Sequence, residues 1–184
     1  MIESTLIKAA INQDRIAFKT IFETYSPYVY SIISRYIIDS IDHKDILQET
    51  FVRVFLSLNN FEESKGEFKY WLRKIVINQC MQHLRKYKKL SLVIPLSDVH
   101  EQHENIENCM NGLTNTDVKN LLSKMPPGYS RVFMLVAIDD YSHKEIAELL
   151  QITEETSRSQ FHRAKIWIKN NVLNNKTNLL INGL

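Results

Sequence analysis

The 184-residue chain is 44% hydrophobic and 24% charged with a formal net charge of +2, which is ordinary for a soluble globular protein. No apolar run approaches the roughly 20 residues that a membrane-spanning helix needs. Two cysteines, Cys80 and Cys109, without a charged-then-apolar leader point to a reducing, cytoplasmic setting and no disulfide framework.

Helical period dominates from the start. The stretch LIKAAINQDRIAFKTIFETYSPYVYSIISRYII reads as two or three helices broken near Pro27. In the next segment Ile46, Leu47, Phe51, Val54, Phe55 and Leu58 fall at i, i+1, i+5, i+8, i+9 and i+12, one face of a helix. Only four glycines occur in the whole chain, so strands are hard to place. A nearly all-α protein is expected.

The stretch GEFKYWLRKIVINQC, residues 66–80, places Phe68, Tyr70 and Trp71 in the first turn of a predicted helix. Further along, Trp71, Lys74, Asn78, Gln82 and Arg85 recur at i, i+3, i+7, i+11 and i+14, so they share one stripe. Lys86, Lys88 and Lys89 extend the charge at its end. Rings leading into a basic, amide-bearing track suit single-stranded nucleic acid, because ring faces accept unstacked bases and cations follow the phosphates. Trp71 taken alone is equally readable as core.

Charge then divides the chain. Residues 1–90 carry 14 Lys and Arg against 10 Asp and Glu, residues 91–115 none against 4, and residues 116–184 carry 9 against 7. The acidic middle holds Pro, Gly, Asn and Ser with little sustained period, although ENIENCMNGL within it can start a helix. It is expected to be a flexible linker between two small helical domains. His100, His103 and Cys109 within it are expected to be solvated residues, with no metal and no cofactor.

The second half opens with PPGYSRVFMLVAIDD, a predicted buried helix after a Pro-Pro stop. YSHKEIAELLQITEETSRSQFHRAKIWIKNN follows as short helix, tight turn and longer helix. Ser142 with Glu145 three residues on is a capping box. Ile146, Ala147, Leu149 and Leu150 point inward, Ile152 fills the turn, and Phe161, Ala164 and Ile168 continue the inner stripe. This is a helix-turn-helix pattern. Arg158, Ser159, His162 and Arg163 point away from the stripe, as donors suited to phosphates and base edges. The Asn-rich end reads as a fraying tail. The expected layout is 1–90, linker 91–115, 116–175 and tail 176–184.

Two long stretches resemble one family. DHKDILQETFVRVFLSLNNF...GEFKYWLRKIVINQ is similar to the second conserved region of bacterial extracytoplasmic-function sigma factors. LLSKMPPGYSRVFMLVAIDDYSHKEIAELLQITEETSRSQFHRAK is similar to their fourth. The resemblance implies a non-enzymatic transcription initiation factor that binds core RNA polymerase, through the β′ clamp and the β flap, and promoter DNA. It also implies an anti-sigma factor as partner, with no membrane insertion. Position by position it implies polymerase docking by Asp45, Gln48, Glu49, Phe51 and Phe55. Contact with the minus-ten element is implied for Phe61, Phe68, Tyr70, Trp71, Lys74, Asn78 and Arg85. Reading of the minus-35 element as duplex is implied for Arg158, Ser159, His162 and Arg163.

The chain departs from the family's pattern at several places. Gln151 stands in the turn where Gly is usual, and a left-handed backbone costs a non-glycine residue ~1 kcal/mol or more. Glu155, Ser157 and Gln160 replace the common Gly, Val and basic residue of the recognition helix, and Gln82 the usual Asp. Two other classes compete. A plain helix-turn-helix regulator leaves the ring-and-cation track of the first half idle, and a protein-binding helical adaptor leaves both cationic stripes unexplained.

Overall fold

Periodicity is realised as helix throughout the residues that the computed structural model describes, 2–86 and 115–181. Among these residues there are eight α-helices and no strand. The chain divides into two compact units, Met1–Lys89 and Leu90–Leu184. Residues 91–114 of the acidic segment, with His100, His103 and Cys109, lie outside the described residues, as do Lys88 and Lys89.

The N-terminal unit contains α1 (Ile2–Ile11), α2 (Arg15–Tyr36), α3 (His43–Ser57) and α4 (Phe68–Lys86), with α2, α3 and α4 packing pairwise. The expected break at Pro27 is wrong: α2 runs straight through it. Proline removes one helical N–H and crowds the preceding turn at about 3 kcal/mol. Ile21 before it and Val29, Ile32 and Ile33 after it are all buried, so both halves are held on one core and the burial outweighs the lost bond. The break falls earlier, where Asp14 caps α2 by accepting from the backbone N–H groups of Ile16 and Ala17, as short oxygen-bearing side chains do at helix starts.

A buried histidine fixes the entry to α3. The Ile37 carbonyl accepts from His43 Nε2 (2.8 Å), leaving Nδ1 facing the Tyr30 hydroxyl at 3.3 Å. Between α3 and α4 the chain makes two 3-10 turns, Leu58–Asn60 and Glu63–Lys65. Gly66 (φ 141) then redirects it into α4 with a backbone that side chains resist. Ser4 of α1 braces this loop by donating to Glu63 Oε2 (2.9 Å).

The C-terminal unit contains α5 (Asn115–Lys124), α6 (Pro127–Ala137), α7 (His143–Leu150) and α8 (Glu154–Ile181). Leu121, Met125, Phe133, Ala164, Ile168 and Val172 form one buried cluster, and Ile146, Leu149 and Leu150 bury the inner face of α7. The capping box is present: Ser142 Oγ accepts from Glu145 N (3.2 Å), and Glu145 Oε2 accepts from Ser142 N (2.9 Å). Helix α8 extends across residues 176–181, which the sequence assigns to a tail.

The turn of the helix-turn-helix carries the strain expected of it. Gln151 sits at φ 56, ψ 46, with its N–H on the Ala147 carbonyl. Gln151→Gly should therefore raise the C-terminal unit's stability by about 0.5–1 kcal/mol, the left-handed penalty less the entropy that glycine adds to the unfolded chain. Thermal unfolding of the two proteins checks this, and an unchanged or lower midpoint contradicts it.

Candidate polymerase and nucleic-acid interfaces

Helix α3 separates its residues cleanly. Ile46, Thr50, Phe51, Val54 and Leu58 are buried, while Asp45, Gln48 and Glu49 are exposed. Phe51, 2% exposed, is therefore corrected from a docking residue to a core residue. Its ring lies 4.7 Å from Phe22, and Phe55, half-buried, lies 4.6 Å from Phe18. Two residues that the sequence reading passed over take their place at the surface: Val52 is 59% and Leu56 79% exposed. A shallow groove of about 590 Å³ is lined by Gln48, Glu49, Val52, Arg53, Leu56 and Gln79. Val52 and Leu56 thus place apolar side chains at the surface beside a polar rim. The signal was available in the spacing, since Gln48, Val52 and Leu56 recur every four residues off the buried stripe.

Helix α4 answers the question of its crowded first turn. Phe68 is 1% exposed and is corrected from a DNA contact to core. Tyr25, Phe61 and Trp71 surround its ring at 5.1, 5.4 and 5.5 Å, so no base can reach its face. Trp71 and Phe61 are half-buried and lie 5.6 Å apart. They are therefore only partly accessible to solvent. Tyr70, 59% exposed, is the ring with an open face, and Lys69 beside it lies over the Tyr28 ring at 4.7 Å. The stripe beyond is solvent-facing at Lys74, Asn78 and Gln82, with Arg85 half-buried. The opposite face of the helix, Leu72, Val76, Ile77, Cys80, Met81 and Leu84, is buried. Rings and cations are thus divided: one exposed ring leads into the polar track, and the others hold the loop and helix together.

Helix α8 turns Arg158 outward, paired with Glu154 one turn back. Ser159 and Arg163 are half-buried on the same side. His162, half-buried, departs from the expectation of a free donor, because its Nε2 is buried without a hydrogen-bond partner. Ser157 and Gln160 are buried inner residues, Ser157 completely. Across the turn, His143 Nδ1 lies 2.9 Å from Ser157 Oγ. Burial, then the charge of Arg158, pulls the His143 pKa below its ordinary value of 6.5, with Glu154 opposing. The ring is accordingly neutral near pH 7.

No described helix is long and apolar enough to cross a membrane. Comparison with known proteins gives one consistent result. The sigma-70 region 2 model matches residues 21–90, and the sigma-70 region 4 model matches residues 115–168. The ECF RNA polymerase sigma factor SigW of Bacillus subtilis is 28% identical over 176 residues, 87% of this chain and 93% of that protein. The ECF RNA polymerase sigma-E factor of Salmonella typhimurium is 26% identical over 184 residues, 92% and 94% of the two chains. Among solved structures, the sigma factor RpoE of Bartonella quintana, determined with the anti-sigma factor NepR, superposes with a TM-score of 0.51. It is 18% identical over 85% of this chain and 96% of that one, a likeness of fold. Two regions of one family, in family order and together covering about two thirds of the residues, place the chain in the sigma-70 family, as an RNA polymerase sigma factor of the extracytoplasmic-function type.

Proposed function

We propose that this sigma factor directs core polymerase to its promoters through three surfaces of different chemistry. The exposed face of α3, from Asp45 through Gln48 and Glu49 to Val52 and Leu56, docks on the β′ clamp. Tyr70 with Lys74, Asn78 and Arg85 takes the single-stranded minus-ten element, with Phe61 and Trp71 as its partly covered border. Arg158, Ser159, Arg163 and the half-buried His162 read the minus-35 element as duplex. The protein performs no reaction of its own and works in the cytoplasm, where polymerase is. The β flap and an anti-sigma factor complete the proposed partners, the latter supported by the RpoE relative solved with NepR.

The observation that carries this reading is the two-faced construction of α4. One side is packed core, and the other is a polar, cation-bearing track with an exposed tyrosine at its head. A duplex-only regulator has no use for that track. On this reading a region 2-like domain spans 1–90 and a region 4-like domain 116–175, joined by the acidic segment 91–115, whose charge suits channels that otherwise hold nucleic acid; the family matches at 21–90 and 115–168 support the layout.

Replacing Arg158 or Arg163 by Ala should cost about 1–3 kcal/mol and relax preference at one base pair if the side chain meets a base. If it meets phosphate, all promoters should weaken together with a salt slope shallower by about 1. Footprints of the polymerase-bound protein over a salt series distinguish the two. Unchanged occupancy in the double variant, on a promoter that needs its minus-35 element, removes the surface.

A further inference from the structure

We propose that His143, on the helix before the recognition helix, is a positioning residue for duplex reading: its bond to buried Ser157 sets the axial rotation of α8. The proposal rests on α8 as the minus-35 reader and adds what holds it in register.

Helix α8 is tethered to α7 by the turn at residues 151–153 and buries Ala164, Ile168 and Val172 in the cluster with α5 and α6, apolar contacts with no directional preference of their own. His143 adds a directional contact near the start of α8. Its Nδ1 meets Ser157 Oγ at 2.9 Å, and its ring stands edge-on to Phe161 at 5.7 Å, one turn further along α8. Phe161 in turn stacks on Phe133 of α6 at 6.0 Å. One side chain therefore links the first residue of α7 to two successive inner positions of α8 and, through them, to α6. The other buried contacts of α7, Ile146, Leu149 and Leu150, are apolar and tolerate sliding, whereas a hydrogen bond between two short side chains is directional.

Ser157 explains why the bond is kept. It is 0% exposed, and a hydroxyl buried without a partner destabilises the fold, so rolling α8 away from His143 is opposed. The residues argued to read DNA flank it directly: Arg158 and Ser159 follow it, and His162 and Arg163 lie about one turn further. A roll of about 20° carries a side-chain tip about 6 Å from the axis through about 2 Å. That shift exceeds the tolerance of a hydrogen bond to a base edge.

The test uses the full-length protein with core polymerase on its own upstream DNA. Run-off transcription is measured on every single-base substitution across the minus-35 region, alongside thermal unfolding. His143→Asn places an amide near the Nδ1 position, His143→Phe keeps the ring and loses the bond, and Ser157→Ala removes the hydroxyl. We expect the ratio of best to substituted promoters to fall about fivefold in His143→Phe and to be retained in His143→Asn. Combining His143→Phe with Ser157→Ala should restore thermal stability, since no buried hydroxyl is left unsatisfied, but not discrimination. Should His143→Phe fail to fold, Ser157→Ala alone is expected to lose discrimination in the same way. Wild-type discrimination in every variant, or recovery of both stability and discrimination in the double variant, makes the pair merely structural and overturns the proposal. A wild-type protein indifferent to every substitution removes instead the reading of α8 on which the proposal rests.

Discussion

Phe68→Ala should cost the N-terminal unit about 3–5 kcal/mol, while Tyr70→Ala, two residues further on, should leave its thermal midpoint nearly unchanged and slow promoter opening. The contrast follows from where the rings lie. Phe68 is enclosed by Tyr25, Phe61 and Trp71, so truncating it leaves a cavity whose lining cannot close. Tyr70 is mostly in water and gives up little on truncation. Its proposed partner is a base that has left the duplex, and stacking on such a base is worth ~1–3 kcal/mol. The loss should therefore show in permanganate reactivity of promoter thymines on linear DNA, and a template premelted at the minus-ten region should recover part of it. Trp71→Ala should fall between the two, losing stability and opening together. A Tyr70→Ala protein with normal thymine reactivity would return the whole first turn of α4 to packing.

Val52→Asp combined with Leu56→Asp should abolish stable binding to core polymerase at almost no cost in folding. Both side chains are more than half exposed, so the free protein loses little apolar burial. In the complex the same positions would sit under the partner, where truncation of a central anchor typically costs 2 kcal/mol or more, roughly thirtyfold in affinity. Competition with the unsubstituted protein for core polymerase measures the difference, and circular dichroism establishes that the variant is helical. Equal competition would show that α3 docks by another face or not at all.

Period alone located α3, α4 and the helix-turn-helix, because a face repeating every three or four residues must be buried. Spacing identified the capping box, which depends only on neighbours within a few residues, and the resemblance, in which Gly is usual at that turn, pointed to the strain at Gln151. Phe68 is covered in part from far along the chain, by Tyr25 of α2, as well as by Phe61 and Trp71 nearby; Phe51 lies on the apolar face that its period gives, against Phe22 of α2, and only the resemblance implied docking for it. The order of residues in the first turn of α4 does not itself say which of its rings Tyr25 covers. Pro27 was misread because the core that holds α2 together across it is tertiary. Ser157 and Gln160, named in the sequence only as departures from the family's usual residues, are buried, Ser157 with its partner, His143, on the preceding helix. Val52 and Leu56 were passed over, although their spacing places them off the buried stripe.

The central claim is that one chain both recruits polymerase and opens DNA, and it is tested most directly by run-off transcription from the protein's own upstream DNA with purified core polymerase. The account predicts a transcript from a single start site that requires both components, with thymines around the minus-ten position becoming permanganate-reactive only when both are present. It also predicts that the protein alone binds the same duplex poorly. Tight binding of the free protein to that duplex, with no transcript and no strand opening on adding core polymerase, would contradict it.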